Sequence, residues 1–136
     1  MRARAAGTVL LAEDEEGVRT LAFEFLTAAG YRVFVANDGE RALQIAESLA
    51  ERIDILVADV VMPCMRGPEL ATRIQKSRPD MKVVFMSGYL EQNQGGEDFQ
   101  GHATFLQKPF SRDVLVRQVA AALQGEESTV AALHIA

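Results

Sequence analysis

Short apolar runs recur along the 136-residue chain with helix-like patterns between them, and this alternation restricts the fold more than any other feature. The runs fall at 8–12 (TVLLA), 32–36 (RVFVA), 53–58 (IDILVA), 82–86 (KVVFM) and 104–107 (TFLQ). Most are β-branched or aromatic and nearly unbroken in apolarity, the pattern of strands covered on both faces and typical of parallel sheets. Parallel neighbours need crossovers, and intervening helices supply them with right-handed sense. The expectation is an α/β, doubly wound, five-stranded parallel sheet with helices on both faces.

The helical stretches carry their own start and stop signals. Val18, Leu21, Ala22, Phe25, Leu26 and Ala29 repeat at three- and four-residue steps, and Gly30 is placed to end that helix. Asp38 is placed to cap the next, with Ala42, Leu43, Ile45, Ala46 and Leu49 on its apolar side. A third starts near Gly67 and Pro68, since proline is tolerated in a first turn, and carries Leu70, Ala71 and Ile74 before Ser77-Arg78-Pro79. The last begins at Ser111 and runs through Val114, Leu115, Gln118, Val119 and Leu123 to Gly125. Residues 88–103 break the rhythm: four glycines and no apolar stripe predict a short or mobile fourth helix. The domain is expected to span residues 8–124, with residues 1–7 a linker or leader and 125–136 a flexible tail.

Composition excludes several functions. One cysteine allows no internal disulfide framework, and no Cys/His cluster has zinc-site spacing. His102 and His134 have no partners at metal-ligand or triad spacing. A net charge of -5 argues against direct nucleic-acid binding or membrane contact. No apolar run reaches the ~18–20 residues of a membrane span, and the expected location is cytoplasmic.

In a parallel α/β sheet, chemistry gathers outside the carboxyl ends of the strands. There the first strand delivers Glu13-Asp14-Glu15-Glu16, the third Asp59, the fourth Ser87, and the fifth Lys108-Pro109. Carboxylates at Glu13, Asp14 and Asp59 repel one another unless a cation sits among them, and hard oxygen ligands suit Mg²⁺. A carboxylate, an ammonium and a hydroxyl beside a magnesium site make a phosphoryl-transfer arrangement. Asp59 is the candidate nucleophile, Lys108 a point charge for phosphoryl oxygens, and Ser87 a hydrogen-bond donor to one of them.

These residues stand in blocks that resemble receiver domains of two-component signalling: Leu10-Leu11-Ala12-Glu13-Asp14, Ala58-Asp59-Val60-Val61-Met62-Pro63, Met86-Ser87-Gly88-Tyr89 and Phe105-Leu106-Gln107-Lys108-Pro109-Phe110. The resemblance implies a flavodoxin-like fold with strand order 2-1-3-4-5. It also implies phosphoryl transfer from a histidine kinase or histidine phosphotransfer protein onto Asp59 with Mg²⁺. Carried over by position, Glu13 and Asp14 are the acidic pair, and Val61 offers a backbone carbonyl to the metal. Ser87 and Phe105 form the switch, Lys108 is the site lysine, and the Lys108–Pro109 bond is cis. A downstream protein would read the face of the fourth helix, fifth strand and last helix. The third and fourth blocks read as similar to C-terminal receivers of hybrid sensor kinases, with a stand-alone regulator as the other possibility.

Glu13 departs from the aspartate that many receivers carry, and Arg66 stands where an acidic residue is common. Cys64 beside the active edge reads as incidental, and Met62, Met65, Met81 and Met86 as packing. Competing readings are an aspartyl-nucleophile metal-dependent phosphatase, which would want a carboxylate at Val61, and a degenerate receiver that only binds protein. A flavodoxin-type cofactor protein is disfavoured by the acidic loop after the first strand, and a P-loop enzyme by the missing glycine-rich lysine motif.

Overall fold

The computed structural model describes residues 6–88 and 104–125. Strands β1 (Thr8–Ala12), β2 (Arg32–Ala36), β3 (Ile55–Asp59), β4 (Lys82–Ser87) and β5 (Thr104–Gln107) form one parallel sheet in the order β2-β1-β3-β4-β5. Helices α1 (Glu16–Ala28), α2 (Gly39–Ser48), α3 (Gly67–Gln75) and α4 (Arg112–Leu123) pack on its two faces. The expected short helix within residues 88–103 falls almost wholly outside the described residues, as do the two chain ends; α4 is therefore the helix that follows β5.

The unbroken apolarity of the strands follows from two separate cores. Val9 and Leu11 of β1, Ile55 and Val57 of β3, and Val84 and Met86 of β4 face α1 and α4, meeting Ala22, Leu26, Leu115 and Val119. The alternate residues Leu10, Leu56, Val83 and Phe85 face α2 and α3, meeting Ala42, Ala46, Leu70 and Ile74. With a side-chain period of two, each strand needs apolar residues at every position to serve both layers.

Local signals act as expected at most ends. The Asp38 carboxylate accepts the Arg41 N–H at 2.7 Å and caps α2, and the Ser111 hydroxyl accepts the Val114 N–H at 3.2 Å and caps α4. Gly30 takes φ +102° just beyond α1, a conformation that favours glycine. Met62, Met65, Met81 and Met86 are all buried.

Some expectations need correction. The third strand begins at Ile55 rather than Ile53, because Val9 of β1 and Lys82 of β4, where their pairing with β3 begins, both lie opposite Ile55. Asp59 is consequently the last residue of β3, and Ser87 likewise belongs to β4, opposite Gln107. Leu21 is 48% exposed, because it lies about 100° around α1 from Ala22, at the margin of the buried stripe. Ala29 is exposed as well, being the C-cap residue where α1 leaves the sheet.

Candidate functional site

The carboxyl ends of β1, β3, β4 and β5 meet because β1, β3, β4 and β5 are consecutive in the sheet. Glu13 leaves β1 with its N–H bonded to the Ala36 carbonyl at 3.1 Å, and its side chain is completely buried. One carboxylate oxygen, Oε2, accepts the Glu15 N–H at 2.9 Å; the other, Oε1, lies 3.0 Å from Lys108 Nζ. The same ammonium lies 3.2 Å from Asp59 Oδ2, so Lys108 bridges the two acids. Asp14 is exposed beside them, and Glu13, Asp14 and Asp59 each offer an oxygen within 4.8 Å of the others.

This crowding shows in the ionisation. Asp59 is buried, and desolvation followed by repulsion from Glu13 pushes its carboxyl up to about 7, against the pull of Lys108. Burial also raises Glu13, although the Glu15 N–H and Lys108 oppose it. Burial works against the Lys108 charge, but hydrogen bonding and Coulomb attraction from Glu13 and Asp59 outweigh it and raise its pKa. A hard divalent cation among these oxygens would relieve the repulsion, and an all-oxygen donor set of this kind fits Mg²⁺.

The neighbouring groups complete the edge. Ser87 Oγ is fully buried and has no hydrogen-bond partner among the described residues. The Ser87 carbonyl accepts the Lys108 N–H at 2.9 Å, which fixes the start of the loop carrying the ammonium, and the Lys108–Pro109 peptide is cis.

A family model described as the response regulator receiver domain matches residues 9–120. The chain belongs to the receiver domain family. Over 112 residues this receiver is 34% identical to the response regulator receiver protein CpdR of Brucella abortus, an alignment covering 82% of the chain and 92% of that protein. It is 41% identical over 124 residues to the sensor kinase CckA of the same species, covering 90% of the chain but only 13% of the kinase. Among solved structures, the receiver domain of the hybrid histidine kinase CckA superposes with a TM-score of 0.73 at 38% identity, over 86% of this chain and 99% of that one. A response regulator receiver protein from Sinorhizobium medicae gives 0.79 at 29% identity, over 90% and 98%. Receivers take a phosphoryl group onto an aspartate with Mg²⁺ in phosphorelays with histidine kinases or phosphotransfer proteins, and the acidic cluster of this receiver is compatible with that chemistry. No helix among the described residues is long and apolar enough to cross a membrane.

The receiver also places the remaining sequence candidates. Val61 follows β3 with its side chain 45% exposed, one residue beyond a Val60 carbonyl that accepts the Gly67 N–H at 2.9 Å. Phe105 pairs across the ladder with Phe85, ring centroids 6.0 Å apart, and is partly buried against the α2–α3 core. Cys64 is exposed and adopts φ +73°, and Arg66 is exposed.

Two residues of the site were not singled out from sequence. Gly67 opens α3 directly against the end of β3, and a Cβ there would clash with the Asp59 carbonyl oxygen. Its neighbour Pro68 signalled a helix start, but nothing local signalled the close approach. Arg19 reaches back from α1 to the Glu13 carbonyl at 3.0 Å. Its position one turn into a helix that follows an acidic loop was the available signal.

Proposed function

We propose that Asp59 is the phosphoryl acceptor of this receiver, with Lys108 and Ser87 as its catalytic neighbours. The observation that carries this reading is the buried Asp59 carboxylate at the end of β3, held 3.2 Å from the Lys108 ammonium within the Glu13–Asp14–Asp59 cluster. An Asp59 oxygen attacks the phosphorus of a phosphohistidine; a P–O bond forms, the P–N bond breaks, and the imidazole leaves with the electron pair and takes up a proton. Lys108 stays close enough to neutralise an equatorial oxygen, and the unpartnered Ser87 hydroxyl has a hydrogen bond to donate to another.

Glu13, Asp14, Asp59 and the Val61 carbonyl are the groups that would hold Mg²⁺, Glu13 being also tied to Lys108 and the Glu15 N–H. The bound cation would offset charge on the transferring phosphoryl group and favour the ionised form of Asp59.

The acyl phosphate adds roughly -1.5 to -2 charge units to an acidic edge. Ser87 then turns toward the new oxygens and Phe105 moves into the space beside it. This remodels the face formed by β5 and α4, where a downstream protein docks. Identity to the receiver of a hybrid kinase supports a place within such a kinase, and the match to CpdR supports a single-domain regulator; the phosphodonor is a histidine kinase or histidine phosphotransfer protein either way. The domain is assigned to residues 8–124 and its setting to the cytoplasm.

Incubation with acetyl phosphate and Mg²⁺, followed by intact-mass measurement, tests the assignment. One added phosphoryl group is expected, absent in Asp59→Asn and absent without the cation. Labelling that persists in Asp59→Asn overturns Asp59 as acceptor, and no labelling of the wild type leaves a receiver that acts by binding alone.

A further inference from the structure

The loop between β1 and α1 carries two of the acids in the cluster, yet it has few ties. Glu15, the N-cap residue of α1, makes no side-chain capping bond. One tie, Glu15 N–H to Glu13 Oε2, uses a carboxylate of the site itself. Glu13 and Asp14 also face Asp59 with oxygens within 4.8 Å, so like charges load this loop.

Arg19 ties the loop down. From α1 its Nη1 donates to the Glu13 carbonyl at 3.0 Å and makes a longer contact, 3.5 Å, with the Asp14 carbonyl. Its backbone N–H donates to the Glu15 carbonyl at 2.9 Å. The side chain thus reaches two successive carbonyls of the acidic loop, while the backbone bond is the first helical turn of α1. We infer that Arg19 is a positioning residue that aims the Glu13 and Asp14 carboxylates at a shared divalent cation by gripping their main-chain carbonyls. The inference rests on the reading of this cluster as a magnesium site.

The grip is mechanical rather than a neutralisation of the acids. The shifts at Glu13 and Asp59 trace to burial, hydrogen bonding, Lys108 and the other acids, with no part played by Arg19. Both contacts come from the single Nη1 nitrogen, which the arginine side chain carries to the loop on a planar, permanently charged group that a lysine does not reproduce. Partners that orient ligands in this way usually change metal affinity when removed.

Calorimetric Mg²⁺ titration of the full chain and urea unfolding in chelator test this together, for wild type, Arg19→Ala, Arg19→Lys and Asp14→Asn. Arg19→Ala is expected to weaken Mg²⁺ binding about tenfold, with Arg19→Lys recovering only part of the loss and the metal-free urea midpoint little changed. In acetyl phosphate labelling, the Mg²⁺ concentration for half-maximal rate should rise while the plateau rate is retained. Mg²⁺ affinity of Arg19→Ala within about twofold of wild type overturns the inference. So does an equal collapse of the metal-free midpoint in both arginine variants, which would assign Arg19 to folding. Absence of Mg²⁺ binding by the wild type, or its persistence in Asp14→Asn, instead defeats the reading of the site.

Discussion

Asp59 ends a buried strand and faces Glu13, so its carboxyl sits near 7 instead of its ordinary value of 3.8. A carboxyl raised in the folded state stabilises the fold through its protonated form. That contribution is fully present below the unfolded value of 3.8 and is lost as pH rises through about 7. Asp59→Asn removes the ionisation, so in chelator it should unfold at higher urea than wild type at pH 8. The advantage should be about 2–4 kcal/mol, from a few pKa units at about 1.4 kcal/mol each, and should shrink toward pH 4. A difference that stays constant across this range would show that Asp59 does not titrate there. Gly67 has a different role at the same spot, since any side chain would meet the backbone of Asp59 rather than a flexible group. Gly67→Ala should therefore cost about 1–3 kcal/mol in urea unfolding and slow acetyl phosphate labelling, because admitting the methyl shifts the end of β3 or α3. Normal stability with normal labelling would contradict this.

Among the elements, the helix ends show what local sequence encodes. Asp38 was recognisable as a cap and Ser111 as a helix start because these signals act over three residues, and Asp38→Ala or Ser111→Ala should each lower stability by about 1 kcal/mol in thermal or urea unfolding. Strands were legible for a similar reason: two-sided burial leaves a continuous apolar run in the chain. Arg78 was not legible. It stood in a Ser77-Arg78-Pro79 stretch that signalled only a helix end, yet Nη1 donates to the Glu51 carbonyl at 3.0 Å and Nη2 to the Ala46 and Leu49 carbonyls at 3.0 and 2.8 Å. These are carbonyls at and beyond the end of α2, up to 32 positions away in sequence. Arg78→Ala leaves them without that donor, and the expected cost is about 2–3 kcal/mol, larger than for either cap, because several charge-assisted bonds go at once. The site divides in the same way. Asp59, Ser87 and Lys108 could be placed from strand ends, whereas Gly67 and Arg19 act on backbone atoms that only the fold brings near.

For the whole molecule, the net charge of -5 falls between Thr8 and Gln124, because the two arginines before Thr8 balance the two glutamates after Gln124. Part of that excess is the convergence of Glu13, Asp14 and Asp59 on one edge, where the fold holds like charges together against their repulsion. Binding of Mg²⁺ to the folded state alone should therefore raise thermal stability, by RT ln(1 + [Mg²⁺]/Kd), and Asp14→Ala should abolish the gain. The same linkage makes the effect pH-dependent, since protons and the cation compete for Asp59. With the metal-free carboxyl at about 7, roughly nine-tenths of the molecules are ionised there at pH 8 and roughly one-tenth at pH 6. The apparent Mg²⁺ affinity should thus fall about tenfold between those pH values, with about one proton released per ion bound near pH 6, measurable by calorimetry in two buffers of different ionisation enthalpy. Equal affinities at pH 6 and 8 would mean that Asp59 is already ionised without the cation, and the stability gain of Asp59→Asn at pH 8 should then vanish as well, so the two measurements check one another.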